Sequence, residues 1–411
     1  MSTYAAAPQQ EKTTTLGPWP NGINNRQRGF ALPEGTFADA VNVDLDNLGY
    51  AGRRKGYTKV YSAFDAHSGF SCDAGTFFVE TGQLKKLNTD NTATVLCSGL
   101  SGSSVSFCFA VGVVYFSDGI VTGKIVGGVA VPWGLPIPSA PTVSQISGIY
   151  GAGTYLAALT FVDSVGNESG SCDPVSFTVS SAAGFRFDNL PTAFSKRLYL
   201  TDTNGSTLYH VVDVAAATIT YSLSAGRYLS GKPLATRFIS APPPGKIVRE
   251  FKKRLYIADG KVVWYTEPYA YDWVKLSTNF FQFHEPVTVM EPVSGGLWIV
   301  SNQTYFYAGT GPDNFQVQPQ LNYGAVFGTG LQVPNTNDAM WYSVRGLCYG
   351  TQDGQVKNMQ EANVAADSGT SGASIVREAD GVRQFIASVS GSSPSPLVGG
   401  SFLNMDVISG V

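Results

Sequence analysis

Charged residues are scarce in this chain. Lys, Arg, Asp and Glu make up 14% of the 411 residues, against about 25% in an average soluble domain. Coiled coils and long helical bundles need many more of them, so both classes are excluded. The net charge of −3 also argues against a strongly cationic nucleic-acid-binding protein. A fully disordered chain is excluded as well, because 43% of the residues are hydrophobic.

Long apolar segments are missing too. No stretch reaches the ~18 uninterrupted apolar residues that span a bilayer, so we expect no membrane span. The start of the chain, Met1 to Pro8, lacks a cationic residue followed by an apolar run, and this argues against a secretory signal. We therefore expect a soluble protein that is made and kept reduced in the cytosol.

Cysteine and histidine are few and isolated. The five cysteines are odd in number and contain no C-x-x-C pair, and we interpret them as small buried hydrophobic residues rather than disulfides or ligands. They are Cys72, Cys97, Cys108, Cys172 and Cys348. The three histidines, His67, His210 and His284, lack the spacing of a zinc site, and we interpret them as structural or surface residues. We predict no metal and no cofactor.

What the chain does contain is short β-branched and aromatic runs separated by Gly, Asn, Asp and Pro. The segment Val41 to Asp46 alternates, a turn follows at Asn47-Leu-Gly49, and Tyr50 to Arg54 returns. This pattern predicts a β-hairpin. No window of more than ten residues keeps apolar residues at helical spacing. We therefore predict an all-β protein.

An internal repeat indicates how the strands are arranged. A strand–turn–strand frame recurs with an aromatic residue at its third position, and these residues are Phe77, Tyr115, Tyr256, Trp298 and Trp341. Neighbouring copies are 38, 42 and 43 residues apart, except for one gap of 141 residues. Repeats of ~40–50 residues built from four short strands are typical of β-propeller blades. We predict a β-propeller of about five to six blades.

The gap between Tyr115 and Tyr256 predicts an insertion. It contains alternating strands at 10–20-residue intervals, and the run Asp163-Ser-Val-Gly-Asn-Glu-Ser169 between two of them looks like a fibronectin type III module. If residues 139–230 are removed, a spacing of 49 residues remains, which is close to one blade. The propeller is therefore predicted to be interrupted by a fibronectin type III-like β-sandwich.

These patterns divide the chain into five predicted segments. The boundaries follow Pro-rich stretches, of which Ala241-Pro-Pro-Pro-Gly245 is the clearest, and a last hairpin is predicted about Asp380-Gly381. The segments are an N-terminal arm (1–35), a first part of the propeller (36–138), the inserted sandwich (139–235), a second part of the propeller (236–364), and a C-terminal hairpin and tail (365–411).

Carboxylates are the first catalytic candidates, because many propellers are glycosidases. Glycoside hydrolysis needs two carboxyl groups about 5–10 Å apart, one with a raised pKa. Glu267, Asp272, Glu285 and Glu291 are near one another in sequence, but the Ser-x-Asp-x-Gly-x-Thr-Trp boxes of sialidase blades are absent. We interpret the four as solvated loop charges. A Gly-x-Ser-x-Gly nucleophile elbow is also missing, and no catalytic residue is predicted.

Two segments imitate nucleotide and calcium sites. Gly226-Arg-Tyr-Leu-Ser-Gly-Lys232 nearly matches a P-loop, but Pro233 stands where Ser or Thr would bind magnesium. Asp44 to Gly49 resembles the start of a calcium loop, but Lys55 stands where the last acidic ligand is needed. We predict neither site, and interpret the second segment as a hairpin turn.

Basic clusters and aromatic residues are candidates for contacts with partners. Arg53-Arg-Lys55 and Lys252-Lys-Arg254 could contact phosphate or an acidic protein, although short basic clusters usually only confer solubility. Trp264 to Trp273 holds five aromatic residues in ten positions. Such a loop suits either the core between strands or a protein–protein interface.

One pattern resembles a known family. The spacing Asn42-x-Asp44, Gly49 and Arg53-Arg-Lys-Gly56 resembles the opening hairpin of bacteriophage tail tubular (nozzle) and head-to-tail accessory proteins. Two later stretches, Pro243 to Pro268 and Leu321-Asn-Tyr-Gly-Ala325, are similar to phage and prophage structural proteins. The resemblance covers about 250 residues, and the inserted sandwich departs from the simplest nozzle pattern.

The resemblance implies a function in the virion. It implies a structural tail protein, assembled in the host cytoplasm, that forms a hexameric ring below the portal–adaptor complex. Other tail proteins would be its partners, and double-stranded DNA would pass through the ring without sequence-specific binding. Low charge suits large permanent interfaces, where an unpaired buried charge is costly. Two alternatives stay open: a receptor- or glycan-binding tail protein, and a propeller glycoside hydrolase or lyase.

Overall fold

The computed structural model describes residues 17–225, 231–366, 369–379 and 381–391. Within these ranges the chain forms β-strands and one 3-10 turn, Gly29–Ala31, and it contains no α-helix. The all-β prediction is confirmed. The chain divides into two compact units: Val60–Asn322 is one, and the chain up to Lys59 together with the chain from Tyr323 onward is the other.

The strands form small antiparallel sheets, and most pair with their neighbours in the sequence. The opening hairpin is β1 (Val43–Leu45) and β2 (Ala51–Arg53). The first four-stranded sheet is β3 (Ala66–Cys72), β4 (Gly75–Glu80), β5 (Gln83–Leu87) and β6 (Ala93–Ser98). The second is β7 (Ser106–Ala110), β8 (Val113–Ser117), β9 (Thr122–Val126) and β10 (Val129–Val131). Seven strands follow: β11 (Thr142–Tyr150), β12 (Gly153–Val162), β13 (Val175–Val179), β14 (Ala183–Asp188), β15 (Ser195–Leu200), β16 (Tyr209–Val214) and β17 (Tyr221–Leu223).

The rest of the chain continues the same pattern. The third four-stranded sheet is β18 (Ile247–Phe251), β19 (Arg254–Asp259), β20 (Val262–Tyr265) and β21 (Phe280–Gln282). The fourth is β22 (Val289–Val293), β23 (Gly296–Val300), β24 (Thr304–Ala308) and β25 (Gln316–Leu321). The fifth is β26 (Leu331–Gln332), β27 (Ala339–Ser343), β28 (Gly346–Gly350) and β29 (Val356–Asn358). The last hairpin is β30 (Ser371–Ala379) and β31 (Val382–Ser390).

The aromatic repeat coincides with the sheets. In all five four-stranded sheets the repeated aromatic residue is the third residue of the second strand, and each is buried: Phe77, Tyr115, Tyr256, Trp298 and Trp341. A large apolar ring at one position of each sheet fills the space beside the neighbouring strands. The predicted four-strand repeat is therefore confirmed.

In the Val60–Asn322 unit the first strands of the sheets pack against one another. Strand β7 contacts β3 and β18, and β18 contacts β22. The second and third sheets meet although 141 residues separate their repeated aromatics. Trp133 donates its Nε1–H to the carbonyl of Tyr271 at 2.9 Å, and Gly245 N–H donates to Ser117 Oγ at 3.0 Å. The chain therefore leaves after β10 and returns beside the same sheet.

In the sequence between β10 and β18, strands β11–β17 form two further sheets. The orders are β11-β14-β17 and β13-β12-β15-β16. Phe185 and Phe187 of the first sheet share one buried cluster with Tyr155, Leu159 and Leu198 of the second. Alternate side chains of both sheets thus enclose one core. We call residues 142–223 the two-sheet segment.

In the other unit, the opening and last hairpins are linked. Asp44 on β1 accepts hydrogen bonds from Arg54 Nε at 3.0 Å and from Arg377 Nη1 of β30 at 2.9 Å. Asn25 also bonds the backbone of Ala365 in both directions, with Oδ1 accepting at 2.6 Å. Both predicted hairpins are confirmed, apart from Asp380, which lies outside the described residues.

Candidate functional site: the first strands and their ion pairs

A bidentate ion pair joins two of the first strands. Arg249 lies in the middle of β18 and Glu291 in the middle of β22. Arg249 Nη2 donates to Glu291 Oε1 at 2.7 Å, and Nε donates to Oε2 at 3.0 Å. Glu291 is only 1% exposed. Paired parallel hydrogen bonds of this kind are strong and geometrically specific, so they fix the two strands relative to each other.

The same arginine reaches a third strand. Arg249 Nη1 donates to Ser106 Oγ at 3.2 Å and to the carbonyl of Val248 at 2.9 Å. Ser106 Oγ also accepts a hydrogen bond from Val248 N–H at 2.9 Å. Ser106 begins β7. Strands β7, β18 and β22 are therefore held by one polar cluster, which we call the first-strand cluster (Ser106, Arg249 and Glu291).

The chemistry of the first-strand cluster is structural. Both Glu291 oxygens accept hydrogen bonds from the Arg249 guanidinium, so the carboxylate is engaged in holding β22 to β18. Nearby, burial raises the pKa of the Cys108 thiol to about 12. The thiol stays protonated at neutral pH and is a poor nucleophile. The hydrogen bonds of the cluster hold β7, β18 and β22 together.

The other predicted carboxylates are also paired, each with its own lysine. The pairs are Glu267–Lys275 at 3.0 Å, Asp272–Lys124 at 2.5 Å and Glu285–Lys261 at 3.9 Å. Burial alone would raise the pKa of Glu267, but hydrogen bonds from Lys275 and Asn279 lower it below the ordinary value. The interpretation as solvated loop charges fits the half-exposed Glu285. It is wrong for Glu291, which is a buried strand residue. It holds in part for Glu267 and Asp272, which are loop residues but are partly buried.

Sequence reasoning missed Arg249 as the partner of Glu291, although a signal was present. Each follows two large apolar residues, Ile247-Val248 before Arg249 and Val289-Met290 before Glu291. A charge within a buried strand needs a buried partner of opposite sign. That rule predicts that a partner exists, but it does not say which residue supplies it.

A second network was missed, at the turn that resembles a fibronectin type III module. Glu168 Oε1 accepts from Thr160 Oγ1 and Tyr199 Oη, both at 2.6 Å, and Oε2 accepts from Arg197 Nη1 at 2.8 Å. The Glu168 carbonyl accepts from Trp273 Nε1 at 2.9 Å. The turn therefore fastens the two-sheet segment to the loop that follows β20.

Histidines and cysteines occupy separate structural places. His67 Nδ1 lies 2.8 Å from Ser68 Oγ, His210 Nε2 lies 2.9 Å from Asp213 Oδ1, and His284 is almost fully exposed. Cys108, Cys172 and Cys348 are buried, as predicted, while Cys72 and Cys97 are half-buried. Within the described ranges no three His, Cys, Asp or Glu side chains are placed to hold a metal ion.

The calcium-like segment is a hairpin turn, as predicted. Asp46 Oδ1 accepts from the N–H groups of Leu48 and Tyr50, at 2.9 and 2.8 Å, which closes the turn between β1 and β2. Most of the P-loop-like segment, residues 226–230, lies outside the described residues. Of the first basic cluster, Arg54 is paired with Asp44. Of the second, Lys252 and Lys253 form an exposed turn.

The aromatic loop at 264–273 mostly serves the interior. Tyr271 is buried against Tyr115 at 5.8 Å between ring centroids, and Trp264 packs on Phe280 at 5.3 Å. Only Tyr269, 75% exposed, projects strongly into solvent. Of the two interpretations of this loop, packing between strands accounts for most of its rings. The part of the chain that the structure describes contains no helix with the length and hydrophobicity of a membrane span.

Comparisons with known proteins name no family. No family model and no curated protein matches the chain. Among solved structures, a streptogramin B lyase is 11% identical over 72% of this chain and 83% of its own, with a TM-score of 0.29. A catalytically inactive virginiamycin B lyase from Staphylococcus aureus with quinupristin is 13% identical over 79% of this chain and 94% of its own, also with a TM-score of 0.29. Likenesses at this TM-score assign neither a fold family nor an activity to this chain.

Proposed function

We propose that this chain is a structural protein of a bacteriophage tail that assembles into a ring, the nozzle, below the portal–adaptor complex. In this proposal the four-stranded sheets are blades of a β-propeller. The two-sheet segment is a fibronectin type III-like sandwich inserted between two of them. The assembled ring is a homohexamer through which the genome is ejected.

The opening hairpin carries the proposal. The residues that resemble phage nozzle proteins are the ones that shape it: Asn42 has a φ of 57°, Asp44 pairs with Arg54 and Arg377, and Gly49 has a φ of 84°. A Cβ on Gly49 would lie 2.7 Å from Pro20 N. The motif therefore encodes one folded hairpin that is joined to β30 of the last hairpin.

The polar chemistry of the interior supports an assembly role over catalysis. The carboxylates that sequence reasoning offered as catalytic candidates hold strands or loops in place, as Glu291 does with Arg249. Low charge suits an interface that stays buried. A wall that meets passing DNA also benefits from few lysines, because many phosphate contacts would retain the duplex.

Electron microscopy of the purified full chain tests the proposal. We expect sixfold rings with a central opening, either alone or after addition of isolated portal–adaptor particles, since some rings form only on a template. Particles that stay monomeric and do not bind the portal–adaptor complex would contradict it. Specific retention on a glycan array, lost on Tyr269→Ala, would instead favour the receptor-binding alternative.

A further inference from the structure

Within the part of the chain that the structure describes, the last hairpin has one edge without a strand partner. Strands β30 and β31 pair over nine residues each with no register shift, from Ser371–Ser390 to Ala379–Val382. On the β30 side, Phe327 forms a parallel bridge with Ser371. Among the described residues, no strand pairs with the outer side of β31.

The hydrogen-bonding pattern shows which β31 groups face that edge. Gly372 N–H donates to the carbonyl of Phe327 at 2.8 Å, which lies outside the hairpin. In an antiparallel pair of strands, residues whose N–H groups point away from the partner strand form the non-hydrogen-bonded pairs. These pairs alternate with hydrogen-bonded pairs along the strands. Because Gly372 pairs with Val389, the N–H and C=O groups of Val389, Ala387, Phe385 and Arg383 point to the outer edge.

This edge lacks the usual protection against pairing. In natural proteins, proline, bulges, short length or several charges prevent an edge strand from pairing with another chain. Strand β31 is nine residues long, contains no proline and carries a single charged residue, Arg383. A two-stranded hairpin is also marginally stable by itself in water. The edge is therefore suited to receive a further strand.

The opening hairpin presents the complementary edge. Asp46 N–H donates to the Tyr50 carbonyl and Arg54 N–H to the Asn42 carbonyl, so Tyr50 and Arg54 face β1. By alternation, Ala51 and Arg53 direct their N–H and C=O groups away from β1. All three residues of β2 are exposed, and among the described residues β2 pairs only with β1.

The segment around β2 also has surface to bury. Between residues 17 and 59 only Asn24 and Gly49 are buried. Large apolar side chains beside β2 are 52–78% exposed, namely Val41, Leu48, Tyr50 and Tyr57. At ~150–250 Å² for an aromatic side chain and somewhat less for the others, they expose on the order of 500 Å². A standard interface takes about 800 Å² from each partner, so this segment supplies over half of one side.

We propose that β2 of one copy of this chain adds to the outer edge of β31 in a second copy. The inference rests on the proposed ring, and it specifies the contact that closes it. The Asp44–Arg377 ion pair joins β1 to β30 within one copy. Among the described strands of the two hairpins, β2 and β31 are therefore the ones with an unpaired outer edge. A contact between two different edges is heterologous, and a heterologous contact generates a ring when the rotation between neighbouring copies closes.

Hydrogen–deuterium exchange on the full chain tests the contact, with ring and monomer fractions compared. We expect the exchange of the outward amides of β31 and of Ala51 and Arg53 to slow at least tenfold in the ring. Ala387→Pro removes one outward N–H without removing a hydrogen bond inside the hairpin, and should raise the dissociation constant of the ring more than tenfold. Ala387→Thr keeps the N–H and should assemble as the original chain does.

The other outcomes separate the two proposals. Rings whose β31 amides exchange as fast as in the monomer would overturn the contact and leave the proposed function standing. Dimers with β31 protected but β2 unprotected would show that β31 pairs with itself, which also overturns it. Smaller oligomers with both edges protected, but no ring, would sustain the contact and contradict the nozzle. If Ala387→Pro fails to fold, the difference in exchange between ring and monomer of the original chain decides whether β2 and β31 form the contact.

Discussion

At the residue scale, the informative side chains are charges inside apolar strands. Arg249 and Glu291 lie in neighbouring first strands and satisfy each other. In the two-sheet segment, Lys196 is fully buried, and its Nζ donates to the carbonyls of Pro191, Ala216 and Thr218 at 2.8–2.9 Å. Burial lowers the pKa of Lys196. Such groups hold neighbouring strands and turns in one arrangement, because any other would leave a buried charge unpaired.

The first-strand cluster gives a prediction at this scale. Glu291→Leu should lower the free energy of unfolding by about 3–5 kcal/mol, because the partly buried Arg249 guanidinium is left without its counter-charge. The double variant Arg249→Met with Glu291→Leu should recover most of that loss, since no unpaired charge remains. Urea unfolding of the single and double variants measures both effects.

The control is an exposed pair in the same unit. Lys261 and Glu285 are 3.9 Å apart and about half exposed, and Glu285→Leu should change the free energy of unfolding by less than about 1 kcal/mol. If Glu291→Leu were no more harmful than Glu285→Leu, the structural role assigned to the cluster would be wrong.

At the scale of elements, the two-residue turns decide how the strands pair. The β18–β19 turn holds Lys252 and Lys253 at φ values of 48° and 66°. Both residues are left-handed, as in a type I′ turn, which favours Asn-Gly. Lys253 N–H donates to Glu250 Oε1 at 2.7 Å, and Lys252 Nζ lies 5.6 Å from the Phe251 ring centroid. The Lys252 side-chain contact offsets part of the backbone cost of a non-glycine pair, whereas the N–H of residue 253 would be kept by glycine.

A turn exchange tests that cost. Replacing Lys252 by Asn and Lys253 by Gly should raise the free energy of unfolding by about 1 kcal/mol. Each left-handed L-residue costs about 1–2 kcal/mol, and the lost Lys252–Phe251 contact offsets a part of the gain. The reverse change is Gly127→Lys with Gly128→Lys at the β9–β10 turn. It should lower the free energy of unfolding, because these glycines have φ values of 58° and 83°, which are costly for lysine.

Chemical denaturation of both turn variants checks the direction of each change. A loss of stability on introducing Asn-Gly would mean that the lysine side chains contribute more than the backbone strain costs.

At the scale of the whole molecule, each compact unit joins segments that are far apart in sequence. In the Val60–Asn322 unit, the two-sheet segment meets the chain just before β18 at Gly170. A Cβ there would lie 1.8 Å from the carbonyl oxygen of Ile239, so the two backbones approach as only glycine allows. The neighbouring Ser240 and Val274 exchange backbone hydrogen bonds at 2.9 and 3.0 Å.

Gly170→Ala should therefore weaken this junction. We expect the free energy of unfolding to fall by about 1–3 kcal/mol, as for other overpacked sites, with a lower midpoint in thermal unfolding. Gly311→Ala is the matched control, because a Cβ on Gly311 meets nothing within 4 Å, and it should be close to neutral. Equal midpoints for the two variants would show that the backbone at Gly170 moves apart to accept a Cβ without a loss of stability.

Local pattern was sufficient for the secondary structure and for the repeat. Alternation and turn residues predicted the hairpin at 43–53, and the spacing of Phe77, Tyr115, Tyr256, Trp298 and Trp341 predicted the sheets in which they are buried. The conformation of the turns was harder to predict from the sequence. Val111 adopts a φ of 49° in the β7–β8 turn, which a β-branched residue rarely does, because the adjacent strands dictate its geometry.

By itself, the sequence determined that this chain is all-β and built from a four-strand repeat, since those properties depend on neighbours within a few residues. Only the tertiary structure decided which charges are buried and with whom. Glu291 was expected in solvent and is paired with Arg249, and Asp44 is paired with Arg377, 333 positions away. Pairings over such distances depend on how sheets pack, and packing is a property of the folded chain that no local window contains.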